Sequence, residues 1–259
     1  MKLSIVIPAH NEEDSLPSTV ESVFQTLREE KIDHEILVIN DGSKDKTESV
    51  LQGLQTKFST LRYLNNEAPN GFGYAVRRGL ENFTGDCVAV YMADASDAPS
   101  DLVAYYKVLS QSNVDCVFGS RFMKGSQVLD YPWIKLFINR LANLFIKVLF
   151  RLKFNDITNA FKIYRREVIE GVQPFLSPHF NLTVELPLKA IVRGYTFEVI
   201  PISWSNRKHG VSKLKIKEMG SRYLFIVLYC LIEKTLSRGD YRRKESSSLA
   251  KSSTSPAKA

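Results

Sequence analysis

The feature that most constrains this 259-residue chain is a repeated alternation over its N-terminal half. Short apolar runs at Leu3–Pro8, Glu35–Asn40, Leu61–Asn65, Cys87–Met92 and Val114–Gly119 read as strands. Amphipathic stretches such as Leu16–Lys31, Thr47–Phe58 and Tyr74–Phe83 lie between them and read as helices. Strands apolar along their whole length, joined by helices, predict a mostly parallel, doubly wound α/β sheet. Ligands of such sheets sit beyond the carboxyl ends of the strands. The polar clusters fall there: Pro8-Ala9-His10-Asn11-Glu12 after the first run, Asp41-Gly42-Ser43 after the second, Ala93-Asp94-Ala95-Ser96-Asp97 after the fourth. An active site along that edge is expected.

The turns exclude two common nucleotide sites. A dinucleotide fold needs glycines at the first strand–helix turn, so that backbone can approach a pyrophosphate. Here that turn is Pro-Ala-His-Asn-Glu, and Gly71-Phe72-Gly73 comes later, with Val76 where a third glycine would stand. A Walker-A run is absent as well. The length suits one large α/β domain with an appendage. Cys87, Cys116 and Cys230 are widely spaced, which predicts a reducing compartment rather than a disulfide framework. The first residues form a strand pattern, so no secretory leader is expected.

Charge is uneven. Residues 206–243 hold ten Lys or Arg against three Asp or Glu, a net +7 that equals the formal charge of the entire chain. The last 16 residues add +2, leaving residues 1–205 at −2. A near-neutral body with a basic C-terminal segment predicts a local anionic partner: headgroups, nucleic acid or pyrophosphate. Nucleic acid ranks lowest, because Tyr223, Phe225 and Tyr229 sit in an apolar helical run and are not interleaved with the cations as base stacking requires. Residues 133–153 are apolar yet carry Lys135, Arg140, Lys147, Arg151 and Lys153 and no acid. Neither this stretch nor Tyr223–Ile232 reaches the roughly 18 uncharged residues of a spanning helix. Both are expected to lie in the headgroup plane with their cations snorkelling, the rival being burial in the core. From Lys244 onward, Ser, Ala and Lys without apolar period predict a disordered tail, residues 244–259.

The acidic turn after the fourth run suits transfer chemistry. A nucleotide diphosphate leaves with negative charge that a divalent cation held by one or two carboxylates can neutralise. Asp94 and Asp97, with Ser96 as a further oxygen, stand in such a turn; the rival reading is that Asp97 merely opens the helix at Ala98-Pro99.

At this point the chain resembles a known family. Ser4-Ile5-Val6-Ile7-Pro8-Ala9-His10-Asn11-Glu12-Glu13 and Val38-Ile39-Asn40-Asp41-Gly42-Ser43 resemble glycosyltransferase family 2. Asn70-Gly71-Phe72-Gly73-Tyr74-Ala75, Phe118-Gly119-Ser120-Arg121-Phe122, Thr158–Arg165, Pro201-Ile202-Ser203-Trp204 and Arg207–Leu214 point to its dolichyl-phosphate mannosyltransferase-like branch. The motifs run in family order over residues 3–216.

The resemblance implies a GT-A type fold, with a catalytic domain over residues 1–205, an interfacial helix at 133–153 and a basic membrane-surface segment at 206–243. It implies that Pro8, His10, Glu12, Asp41, Gly71 and Gly73 bind the donor, a GDP- or UDP-sugar. Asp94, Ser96 and Asp97 would hold Mg²⁺ or Mn²⁺, and Met92 replaces the first Asp that the branch uses there. Arg121 and Glu185 join Asp94 at the reacting centre, Glu185 as a positioning group. Arg140, Arg207, Ser212 and Lys213 are implied to grip an acceptor phosphate, since Arg forms two parallel hydrogen bonds to phosphate. The four histidines show no metal-ligand spacing.

The activity so implied is inverting transfer of one sugar from a nucleotide-diphosphate sugar to a polyprenyl (dolichyl- or undecaprenyl-type) phosphate, on the cytoplasmic face of a membrane. QxxRW, which marks processive synthases of the family, is absent, which favours one sugar per acceptor. Two rivals are a transferase for a soluble glycan and a catalytically silent nucleotide-sugar binder in which Met92 marks lost metal chemistry.

Overall fold

A computed structural model describes residues 1–206 and 216–243, with the backbone only for 216–219. The strands are β1 (Leu3–Ala9), β2 (His34–Asn40), β3 (Leu61–Asn65), β4 (Cys87–Val90), β5 (Cys116–Ser120), β6 (Gln127–Leu129), β7 (Lys162–Arg165), β8 (Phe197–Pro201) and β9 (Ser203–Ser205). The helices are α1 (Leu16–Glu29), α2 (Thr47–Lys57), α3 (Phe72–Asn82), α4 (Pro99–Gln111), α5 (Trp133–Phe150), α6 (Arg166–Gly171), α7 (Leu182–Val192) and α8 (Ile216–Leu236).

Seven strands form one sheet in the order β3-β2-β1-β4-β7-β5-β8. All neighbours pair parallel except β7, which runs antiparallel between β4 and β5. Alternate strand residues supply two cores, which is why the strands read as continuous apolar runs. Ile5, Ile7, Ile36, Val38 and Ala89 pack under α1, α2 and α4. Val6, Leu37, Ile39, Val88 and Val90 pack under α3 and α7 on the other face. β6 and β9 form a separate parallel pair beside the carboxyl edge.

Three local results bear on the site. β4 ends at Val90, two residues before the predicted Met92, and the chain turns out of the sheet there. α4 begins with Pro99 in its first turn and Ala98 at its cap, with no side-chain cap bond, so Asp97 is not its N-cap. α5 stops at Phe150 because Arg151 is left-handed (φ 56°).

α5 and α8 pack together at one side of the domain. α5 buries only Asn143, Ile146 and Phe150, and exposes Trp133, Phe137, Leu141, Leu144 and Val148. Those five recur every three or four residues, one stripe of a helix. α8 places Ile226, Val227 and Cys230 in the second core and exposes Phe225, Leu228, Ile232 and Leu236. A buried ion pair from Arg193 to both oxygens of Glu233 (2.8 and 3.0 Å) fastens α8 behind α7. No helix among the described residues is long and apolar enough to cross a membrane. Arg207, Ser212 and Lys213 and the tail at 244–259 lie outside the described residues.

Candidate active site

The turns after β1 and β2 are laced together. Asn11 Oδ1 accepts from Lys44 N (2.7 Å), Ser43 Oγ from Asn11 N (3.0 Å), Thr47 Oγ1 from Glu12 N (2.9 Å) and Glu13 Oε2 from Lys46 N (2.8 Å). His10 Nδ1 meets Asp41 O at 2.7 Å, and Glu12 accepts from Ser15 Oγ at 2.7 Å. Pro8 lies in β1 opposite Ile39. The structure thus brings Pro8, His10, Glu12 and Asp41 to one edge.

Asp41 has an additional task. Its Oδ1 accepts from the amides of Asn66 (2.8 Å) and Asn70 (3.1 Å), and its Oδ2 from Gly71 N (2.8 Å). It therefore pins the loop that leads into α3. The two glycines of that turn are required by packing within the protein. Gly71 has φ 149°, and a Cβ on Gly73 would lie 2.4 Å from the carbonyl carbon of Pro178 and 2.6 Å from His179 N.

The acidic turn after β4 is buried. Asp94 Oδ1 accepts from Ser96 N (3.2 Å), and the Asp97 backbone bridges to Trp204. Asp97 Oδ2 is buried without a hydrogen-bond partner among the described residues. Burial, and then the charge of Asp94, push the Asp97 carboxyl up to about 7 against the pull of the Met92 amide and Arg121. A buried carboxylate oxygen without a partner, next to a second carboxylate, fits a cation. Among the described residues no three His, Cys, Asp or Glu side chains form a metal cage. The turn therefore suits a hard divalent ion that takes its other oxygens from a diphosphate and water.

Arg121 stands beside this turn, and its backbone N and guanidinium Nε and Nη2 all donate to the Asp156 carboxylate at 2.8–2.9 Å. Burial opposes the guanidinium charge, and Asp156 outweighs it, so its pKa lies above the ordinary Arg value. The pair is formally neutral, so the charge that Arg121 brings to the edge of the acidic turn is already balanced by Asp156. Lys162, fully buried on β7, donates to the carbonyls of Ile157 and Asn159, and burial lowers its pKa to about 7. Neither Asp156 nor Lys162 was legible as a site residue, because their roles rest on partners set by the fold.

A cavity of about 440 Å³ opens from Met92, Asp94, Ser96, Asp97 and Arg121 and runs between α5 and α8. Its near wall carries Tyr131 and Trp204, whose rings are 4.6 Å apart. Its far walls are Ile138, Ala142, Phe145 and Ile146 from α5 and Tyr223, Leu224 and Val227 from α8. Lys135 and Asn139 face it from the start of α5. Arg140 does not line it: its guanidinium lies 4.7 Å over the Phe122 ring, while Lys135, Asn139, Ala142 and Ile146 follow the inward face at helical spacing. The structure thus places Lys135, not Arg140, in the cavity wall; the sequence signal for Lys135 was that register. Glu185 is fully buried, does not line the cavity, and accepts from Leu176 N and Ser177 N (both 2.7 Å) and Lys189 Nζ (2.6 Å).

A mostly parallel sheet with an acidic turn beyond β4 and an antiparallel β7 is a GT-A-like fold, and the family match below makes the protein a glycosyltransferase. The chain belongs to glycosyl transferase family 2, whose model matches residues 4–172. It is 30% identical over 222 residues to a polyprenol monophosphomannose synthase of Mycolicibacterium smegmatis, covering 81% of this chain and 80% of that protein. It is 29% identical over 223 residues to a dolichol-phosphate mannosyltransferase of Pyrococcus furiosus, covering 84% of this chain but only 60% of that longer protein. Among solved structures, glucosyl-3-phosphoglycerate synthase from Mycobacterium tuberculosis, in complex with Mn²⁺, uridine diphosphate and phosphoglyceric acid, superposes with a TM-score of 0.68. That match covers 89% of this chain and 78% of the other at 19% identity, a likeness of fold.

Proposed function

We infer that this glycosyltransferase moves one hexose from a GDP- or UDP-linked donor to a polyprenyl-type lipid phosphate, with inversion, at a membrane surface. The observation that carries the reading is the cavity: it begins at the acidic turn and ends between two helices whose outer faces are apolar and exposed. A lipid phosphate has that shape, a dianionic head at the acidic turn and a hydrocarbon tail along α5 and α8. The names of the two relatives support the same acceptor class and make mannose the first sugar to test.

Asp94, Asp97 and Ser96 would hold Mg²⁺ or Mn²⁺, which when bound neutralises charge on the departing diphosphate. Pro8, His10, Glu12 and Asp41 would seat the nucleoside, Asp41 also holding the Gly71–Gly73 turn in place. Lys135, with Arg207, Ser212 and Lys213 of the basic segment, would hold the acceptor phosphate. That phosphate, with a second pKa of about 6, is already a nucleophile at neutral pH and needs no general base. Its oxygen attacks the anomeric carbon opposite the nucleotide, so positioning and charge neutralisation carry the reaction.

The test is incubation of the full chain with GDP-mannose or UDP-glucose, Mn²⁺ and undecaprenyl or dolichyl phosphate, followed by organic extraction. An organic-soluble sugar product is expected. Transfer to a water-soluble acceptor with none to either lipid phosphate would overturn the acceptor and leave the enzyme class standing. Donor binding without any turnover would favour the silent binder.

A further inference from the structure

We propose that Glu185 is a positioning residue that fixes the wall shared by the donor turn and the acceptor cavity, by clamping the backbone at Leu176 and Ser177. Glu185 and Lys189 form a fully buried ion pair on α7, where a proton-transfer or substrate-binding role has no access to solvent. The carboxylate has a different occupation. Oε1 accepts from Leu176 N and Oε2 from Ser177 N, a two-point grip on one peptide segment. Hydrogen bonds to an ionised acceptor are among the stronger ones, and a buried N–H that loses its acceptor is costly.

The gripped segment touches both halves of the site. Directly beyond Ser177, the backbone of Pro178 and His179 presses on Gly73, close enough that no side chain fits between them. His179 also stands against Gly71, whose own N–H is held by Asp41. One residue further, the Phe180 ring lines the cavity and stacks on Phe72 of the donor turn, with centroids 4.2 Å apart and planes 13° from parallel. Tyr223 of α8 donates to Phe180 O (3.2 Å) from the opposite side. Residues 176–180 are thus one wall between the Gly71–Gly73 turn and the cavity. Glu185 sets where that wall stands, and Lys189 balances the charge and reaches Pro174 O.

The inference rests on Gly71-Phe72-Gly73 being part of the donor site, and its test separates that premise from the acceptor assignment. Glu185→Gln keeps the shape but offers only one acceptor oxygen, while Lys189→Met keeps both carboxylate–amide bonds. Both variants should lower the melting temperature. Only Glu185→Gln should weaken Mn²⁺-dependent GDP or UDP binding, by about tenfold, the size expected for one lost charge-assisted bond. Hydrogen exchange should quicken at Leu176, Ser177 and the 71–75 turn in Glu185→Gln and stay slow in Lys189→Met; this readout needs no ligand. If Glu185→Gln alone does not fold, the Glu185→Gln/Lys189→Met pair removes the unpaired cation and gives the same two measurements. Unchanged nucleotide affinity and unchanged exchange at 71–75 in the Gln variant would overturn the proposal, as would equal losses of nucleotide affinity, or equal quickening of exchange, in the two single variants. A protein that transfers nothing to lipid phosphate yet shows the Gln-specific effects keeps this inference and loses only the acceptor.

Discussion

Asp94 and Lys135 both line one cavity, and each would make a different demand on the chemistry. Asp94→Asn retains the shape of the turn and the bond from Ser96 N but removes the charge that a cation bound there would need. Turnover and Mn²⁺-dependent nucleotide binding should be lost while the melting temperature stays within a few degrees; normal turnover in the variant sinks the metal assignment. Lys135→Ala should cost about ten- to a hundredfold in kcat/KM for lipid phosphate, the range for one charged contact. Arg140→Ala should change it by less than about threefold, because that guanidinium lies over Phe122 and outside the cavity. Equal losses in the two variants would restore Arg140 to the acceptor site.

At the scale of elements, Glu35 shows how a polar residue inside a sheet can stabilise it. From β2 its carboxylate accepts from Ser4 Oγ on β1, Arg62 Nε on β3 and Thr84 N before β4. Burial works against the charge, yet these bonds outweigh it and lower the pKa from the ordinary 4.5 to about 2. A depressed folded pKa contributes stability that is fully present above 4.5 and is lost as pH falls towards 2. Glu35→Gln should therefore destabilise by about 3 kcal/mol at pH 7, with the gap from the parent closing between pH 4.5 and 2 in urea titrations. A gap constant with pH would mean that shape, not charge, sets the effect.

The same scale shows what the sequence made legible. The five predicted strands are continuous apolar runs and the helices between them carry a 3.6-residue period, and all their ends agree with the structure within two residues. β6 and β9, Gln127–Leu129 and Ser203–Ser205, are three residues each, too short to show a period. β7 follows an irregular stretch and inserts antiparallel between β4 and β5, a pairing that only the tertiary fold decides. In the site, His10, Asp41 and Asp94 were legible because strand ends in a parallel sheet share an edge. Asp156 was not, because its meaning is Arg121, which is remote in sequence. Lys135 was one cation among several on α5 until the roll of the helix separated it from Arg140.

For the whole molecule, α5 and α8 turn one side of the domain into an apolar face with cations around it. Trp133, Phe137 and Val148 are 76%, 66% and 69% exposed, unusual for aromatic and branched residues on a face that meets only water. If that face meets a bilayer, two terms hold it there. Each basic side chain near an anionic surface contributes about 1 kcal/mol, screened as the Debye length shrinks to about 3 Å at 1 M salt. Apolar insertion, at about 25 cal/mol per Å² buried, is indifferent to salt. Sedimentation with anionic liposomes should therefore show strong binding at low salt that weakens as salt rises but keeps an apolar remainder. Phe137→Ser with Leu141→Ser should reduce that remainder and leave the salt-sensitive part, without lowering the melting temperature, because neither side chain is buried in the domain. The double variant should also raise KM for a long-chain lipid phosphate more than for a short, water-soluble analogue, since on the proposed reading only the long tail would reach the membrane through the α5–α8 cavity. A parent protein that ignores anionic liposomes at low salt would return the exposed stripe to some other partner and remove the membrane from the reaction.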